Sequence, residues 1–225
     1  MDKSLIDAAS TAVEMAKRLG ANDVWITTSQ SHSVNFELRN SVLERVEDST
    51  SRRLAVRLWV DGRYSVHSTN DLRQPSLESF LGEAIAITRA LEADPYRSIP
   101  DPALFAGRST ADLQIFDSAI EQITRHQRLE LLREMDAEVQ GAPQLLSATS
   151  SISTGTSTEA CASSNGFADS YAASSIYIGT KVTLDDGDKR PEDSHYGISV
   201  QQADLPSARD VAKEALRRAQ ARVGS

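Results

Sequence analysis

The stretch LAVRLWVDGRYSVHS, residues 54–68, constrains this chain more than any other. Leu54, Val56, Leu58 and Val60 alternate with Ala55, Arg57 and Trp59, and Asp61-Gly62 follows at once. An apolar period of two marks a strand with one buried face. Asp-Gly between two such runs favours a two-residue hairpin, because both central residues can take positive φ. The return strand is expected over residues 63–68. A half-buried antiparallel hairpin must be covered on its apolar face, and the flanking segments read as helices that can do so.

The first of these helices places Leu5, Ile6, Ala9, Ala12, Val13, Ala16 and Leu19 at helical spacing, with Gly20 just past its end. Short strands are expected at Val24–Thr28, Val34–Leu38 and around Val42 and Val46. After the hairpin, Asn70-Asp71 and Pro75 introduce a second helix that buries Leu77, Leu81, Ile85 and Leu91. Residues 94–117 are rich in Pro, Asp, Ser and Gly and form the expected linker. A third helix is expected over residues 118–140, with Ile120, Ile123, Leu131, Met135 and Val139 as its apolar positions.

Residues 145–171, LLSATSSISTGTSTEACASSNGFADSY, could be a flexible linker, a glycosylated stalk or folded sheet. The segment leads into Tyr171, Ile176, Ile178, Val182 and Leu184, which alternate. Asn165-Gly166 is a hairpin signal, Thr is a good strand former, and flexible linkers are richer in Gly and Pro. Sheet is therefore expected. Ile198 and Val200 suggest one more strand, and a last helix is expected over residues 206–222. Each half reads helix, antiparallel meander, helix. The expected class is α+β, as two successive two-layer sandwiches: a first domain over residues 1–93, the linker over 94–117 and a second domain over 118–225. Strand order stays open, since meander and interleaved pairings fit the same alternation.

Composition narrows function mainly by exclusion. A hydrophobic fraction of 40% and a charged fraction of 25% over 225 residues are ordinary for a globular chain. The net charge of −8 argues against a surface that neutralises phosphates, so nucleic acid is not an expected partner. The first 20 residues contain no apolar signal region, and no apolar run is long enough to span a bilayer; a cytoplasmic protein without membrane contact is expected. The single cysteine, Cys161, excludes an intramolecular disulfide and reads as a small buried hydrophobe.

The four histidines, His32, His67, His126 and His195, lack the spacing that sets two metal ligands on one helix face. No phosphate-binding loop, dinucleotide fingerprint or nucleophile elbow is present. The most polar segment is LDDGDKRPEDSHYG, residues 184–197. Its Asp185, Asp186, Asp188, Glu192, Asp193 and His195 are the candidate contacts with a peptide or partner, against the simpler reading of a solvated hairpin tip. No catalytic, cofactor-binding or metal-ligating residue is assigned within the chain.

The order of segments resembles the TldD/PmbA family. The resemblance rests on AKRLGANDVWITTS, on RNSVLERV, on the VDGR hairpin with its STNDL exit, on SSNGFADSY, on DDGD…HYGIS and on DLPSARDVAKEALRRAQARVG. It covers nearly the whole chain, and the strands look closer to the TldE/PmbA branch. It implies a component of a cytosolic metallopeptidase involved in proteolysis, peptide (microcin) maturation, antitoxin turnover and modulation of DNA gyrase. The implied partner is a TldD-type subunit in a heterodimer. That subunit carries an H-E-x-x-x-H motif whose zinc would activate a water for hydrolysis of an unfolded peptide. The family's third, C-terminal, metal-bearing domain is absent from residues 1–225, so the resemblance transfers no catalytic residue. Two roles are implied: a wall of a peptide-binding chamber, in which the 33–39 strand and the 184–197 hairpin contact peptide, or a non-catalytic scaffold for another subunit.

Overall fold

The computed structural model describes residues 3–107, 109 and 111–224. In chain order the elements are α1 (Lys3–Arg18), β1 (Asp23–Arg39), β2 (Val42–Val60), β3 (Arg63–Thr69), α2 (Gln74–Arg89), α3 (Ser118–Gln122), α4 (Arg125–Val139), β4 (Leu145–Ser163), β5 (Ala168–Leu184), β6 (Glu192–Ser199) and α5 (Ala208–Gln220). The six strands form an antiparallel sheet in the order β3-β2-β1-β4-β5-β6. The class is α+β, as the periodicity implies.

The Asp61-Gly62 hairpin forms as expected. Both residues have positive φ, 50° and 75°, and β2 and β3 pair from Val60↔Arg63 to Leu54↔Thr69. A second turn of the same hand joins β1 to β2 at Asn40 (φ 47°) and Ser41 (φ 65°). The turn between β4 and β5 differs from expectation, for only Gly166 takes positive φ, 91°. Ser163 N–H donates to Phe167 O at 2.9 Å, so three residues rather than two make the loop.

Two further sequence expectations need correction. The strands expected at residues 24–28 and 34–38 are one 17-residue strand, β1, and those around Val42 and at residues 54–60 are one 19-residue strand, β2. Residues 29–33 of β1 and 42–53 of β2 contain no buried side chain, so no apolar alternation marks them as strand. The single helix expected over residues 118–140 is two helices. Ile123 ends α3, and Thr124 caps α4 by accepting from Gln127 N–H at 3.3 Å while Gln127 Oε1 accepts from Thr124 N–H at 2.8 Å. Such a reciprocal capping box starts a helix afresh.

The chain divides into two compact units, each drawn from three stretches. The first comprises the described residues of 3–31, 50–113 and 157–172. Its core is Val24, Ile26, Leu54, Val56, Leu58 and Val60 under Ala9, Ala12 and Ala16 of α1 and Leu77, Leu81 and Ile85 of α2. Residues 94–107 pack on this unit: Arg97 lies 4.9 Å over the Tyr64 ring, Asn165 donates to Pro100 O at 2.5 Å, and Phe105 meets Phe167 at 4.6 Å and Trp25 at 5.9 Å.

The second unit comprises the described residues of 32–49, 114–156 and 173–224. Val34, Phe36, Leu38, Ile152, Ile176, Ile178 and Val182 form its sheet face, under Leu132, Met135 and Val139 of α4 and Val211, Ala212, Ala215 and Ala219 of α5. The Ser- and Thr-rich strands of this unit pair several of their buried hydroxyls. Ser150 and Thr180 bond each other at 3.1 Å, and Ser174 donates to Val200 O and accepts from Asp117 N–H, both at 2.8 Å. Small side chains also allow close approach: a Cβ on Gly197 would collide with the Pro206 ring.

Candidate functional site

The polar hairpin grows from β5 and β6, whose register pairs Thr183 with Glu192 and Thr180 with His195. Its tip reverses at Gly187, φ 73°, with Asp186 bridging Lys189. The candidate residues are brought to one end of the second unit, but most of them are engaged within the chain. Asp185 pairs with Arg190 at 2.9 Å. Glu192 pairs with Lys181 at 3.3 Å and accepts from the Thr183 hydroxyl at 3.1 Å. Asp186 Oδ2 accepts Gly224 N–H at 2.9 Å, and Asp193 meets Arg222 at 2.5 Å. The hydrogen bond from Arg222, then that from Ser194 N–H, hold the Asp193 carboxyl below its ordinary pKa. Asp188 is exposed at the tip, and His195 lies half-buried beside the Tyr196 ring.

A cleft of about 360 Å³ opens here, lined by Lys189, Arg190, Pro191, Glu192 and Arg222. Its mixed charges suit polar contact. They do not suit a metal, because the neighbouring carboxylates already face cationic side chains. Among the described residues no three His, Cys, Asp or Glu side chains are grouped to hold a metal ion.

The other singled-out residues are scattered. His126 is exposed and bonds Glu130 at 3.0 Å. His67 bonds Ser65 at 2.8 Å, and burial lowers its pKa. Cys161 is half-buried rather than buried, 3.4 Å from the Thr27 hydroxyl.

The 33–39 strand offers no free edge. It lies in β1, between β2 and β4, so its main-chain groups face partners on both sides. An open edge lies instead on β2, because β3 reaches only as far as Leu54. Among the described residues no strand therefore pairs with residues 42–49 on the side away from β1, and Val42 and Val46 are exposed there. Charged residues Glu44, Arg45, Glu47 and Asp48 interleave with them.

Arg128 is the residue that sequence reading missed. It lies on the core-facing stripe of α4 with Leu132, Met135 and Val139, and it is only 7% exposed. Its Nη1 donates to Ile123 O and its Nη2 to Thr154 Oγ1 at 2.8 Å, while among the described residues Nε has no partner. Its spacing four residues before Leu132 carried the signal, but a cation there looks like a solvated first turn.

Models of the two leading domains of a metallopeptidase match this fold in order. The one described as PmbA/TldA metallopeptidase domain 1 matches residues 28–88, and the PmbA/TldA metallopeptidase central domain matches residues 119–223. The chain belongs to the TldD/PmbA family. It is 25% identical over 200 residues to a metalloprotease PmbA homolog of Haemophilus influenzae, covering 88% of this chain and 44% of that protein. A crystal structure from Bacteroides thetaiotaomicron, described as a candidate modulator of DNA gyrase, superposes with a TM-score of 0.94 at 26% identity, over 99% of this chain and 51% of that one. TldE from Thermococcus kodakarensis shares the fold with a TM-score of 0.77 at 10% identity, over 95% and 47% of the two chains. The chain thus spans about half the length of these relatives.

Proposed function

We propose that this chain supplies the leading and central domains of a TldD/PmbA-type metallopeptidase subunit, and that it holds unfolded peptide for hydrolysis by a zinc-bearing TldD-type partner. The open edge of β2 at residues 42–49 carries this reading. An extended peptide can add to such an edge through main-chain hydrogen bonds, which tolerate many sequences, while the exposed Val42 and Val46 supply apolar contact. The 184–197 hairpin, with Asp188, Glu192 and His195, is a second surface for peptide or partner. The reading carries with it a cytoplasmic site of action in a heterodimer and roles in proteolysis or peptide maturation.

Hydrogen exchange tests the edge directly. Adding an unfolded polypeptide and a TldD-type subunit should slow exchange at residues 42–49. Exchange unchanged there while peptide is bound overturns the edge. Zinc-dependent cleavage that survives Val42→Glu with Val46→Glu would leave this chain a scaffold for its partner.

A further inference from the structure

The sheet has another open edge at β6. Among the described residues no strand pairs with β6 on the side away from β5. Leu184 N–H donates to Pro191 O at 2.9 Å, which fixes the phase of the β5–β6 ladder. Asp193, His195, Gly197 and Ser199 turn their main-chain groups toward β5, and Ser194, Tyr196 and Ile198 turn theirs outward. Ser194 N–H accordingly donates to the Asp193 carboxylate at 2.8 Å. The Pro206 ring occupies the space where a Gly197 side chain would stand, so Tyr196, Ile198 and Val200 project from the opposite face of the sheet. They are 58%, 64% and 42% exposed, and Tyr196 stacks on Tyr177 of β5 at 5.7 Å. Residues 194–203, SHYGISVQQA, hold no Asp, Glu, Lys or Arg.

An apolar edge without charge is complementary to itself. We propose that β6 pairs with β6 of a second copy of this chain, antiparallel about a twofold axis at Gly197. In that register Tyr196 faces Ile198 of the second copy, an aromatic and β-branched pair, and their outward N–H and C=O groups form about four main-chain hydrogen bonds across the axis. Glu192 falls opposite the uncharged Gln202 of the second copy, so no like charges are set against each other. The segment leading into α5 touches Gly197 through Pro206, and Arg222, just past the helix, reaches Asp193. Helix α5 therefore runs away from the axis, and the helices and acidic hairpin tips of the two copies lie at opposite ends of the joint. A parallel pairing would bring the acidic tips together. The joint covers less than the roughly 1,200–2,000 Å² of a standard interface, and the net charge of −8 on each copy opposes it, so the association is weak and strengthens with salt. It needs neither peptide at the β2 edge nor a TldD-type partner.

Sedimentation equilibrium of the 225-residue chain tests the pairing, with amide exchange followed at the same concentrations. The average mass should rise toward that of a dimer with concentration, more so in added sodium chloride, and exchange at the Tyr196 and Ile198 amides should slow in step. Ile198→Glu sets a carboxylate in each half of the joint and should weaken association by about tenfold or more, at unchanged Tm because position 198 is exposed. If that variant loses Tm, Ile198→Thr takes its place and should weaken association in the same direction. Val66→Glu, exposed on the edge strand β3, should leave association unaltered. A chain that stays monomeric up to millimolar concentration overturns the proposal, as does a dimer whose Tyr196 and Ile198 amides exchange as fast as in the monomer. Slowing of those amides by an unfolded peptide, in a chain that stays monomeric, gives the edge to peptide and likewise overturns the second copy.

Discussion

Asp193 Oδ2 lies 2.5 Å from Arg222 Nε and so fastens β6 to the chain just after α5. The Asp193 pKa is lowered in the folded chain, first by the Arg222 hydrogen bond and then by Ser194 N–H. The folded state therefore holds the proton less tightly than the unfolded state does. Its stabilisation is present above the unfolded value of about 4 and is lost as pH falls through the lower folded value. Asp193→Asn should lower Tm at pH 6, and the gap to wild type should close near the acid limit of folding. Parallel Tm curves across that range would show that the pair contributes nothing.

His67 provides a second pH dependence, in a different window. Burial lowers its pKa, so the neutral ring is favoured in the folded chain. Its contribution is full above the unfolded value of about 6.5 and is lost as pH falls toward the folded value. The ring bonds Ser65, which in turn bonds Thr88 of α2 at 2.5 Å. Wild type should lose more Tm between pH 7.5 and 5.5 than His67→Gln does, and an NMR titration should place the His67 midpoint below 6.5.

Asp136 is 6% exposed and accepts from Ser41 Oγ at 2.6 Å and from Gln140 Nε2 at 3.0 Å. Ser41 lies in the turn between β1 and β2. Ser41→Ala should cost about 1–3 kcal/mol in urea unfolding, because it leaves a buried carboxylate oxygen short of a donor. A cost within error would mean that water replaces the hydroxyl.

The stripe of α4 separates packing from charge. Leu132 is fully buried, and Leu132→Ala should cost about 2–5 kcal/mol. Arg128→Met, one turn earlier, removes a buried charge and should be neutral or stabilising by about 1–3 kcal/mol. A large Tm loss in Arg128→Met would make the guanidinium a structural tie between α3 and β4. Thr124→Ala, which deletes the cap, should cost about 1 kcal/mol and fray the same turn.

Much of this was legible in the chain. Leu54 to Val60 with Asp61-Gly62 determined a strand, its buried face and its turn, since a period of two and a positive-φ pair are local properties. Helical spacing likewise determined α1, α2 and α5, and the turn and strand signals around residues 145–171 determined that a Ser-rich segment folds as sheet. Segment order sufficed for the family.

Tertiary structure decided what local pattern does not encode. Residues 29–33 and 42–53 are strand without a buried face, so only their pairing partners show that β1 and β2 run unbroken. Strand order, which closes both edges of β1 and opens residues 42–49 of β2, depends on contacts between segments more than 100 residues apart, such as Val24 with Ser164. The engagement of Asp185, Glu192 and Asp193 by cations, and the burial of Arg128 with no carboxylate paired to it among the described residues, follow from where the folded backbone carries each charge. A charged residue reads alike in sequence whether it is solvated, paired or enclosed, and only the distance to its neighbours distinguishes the three.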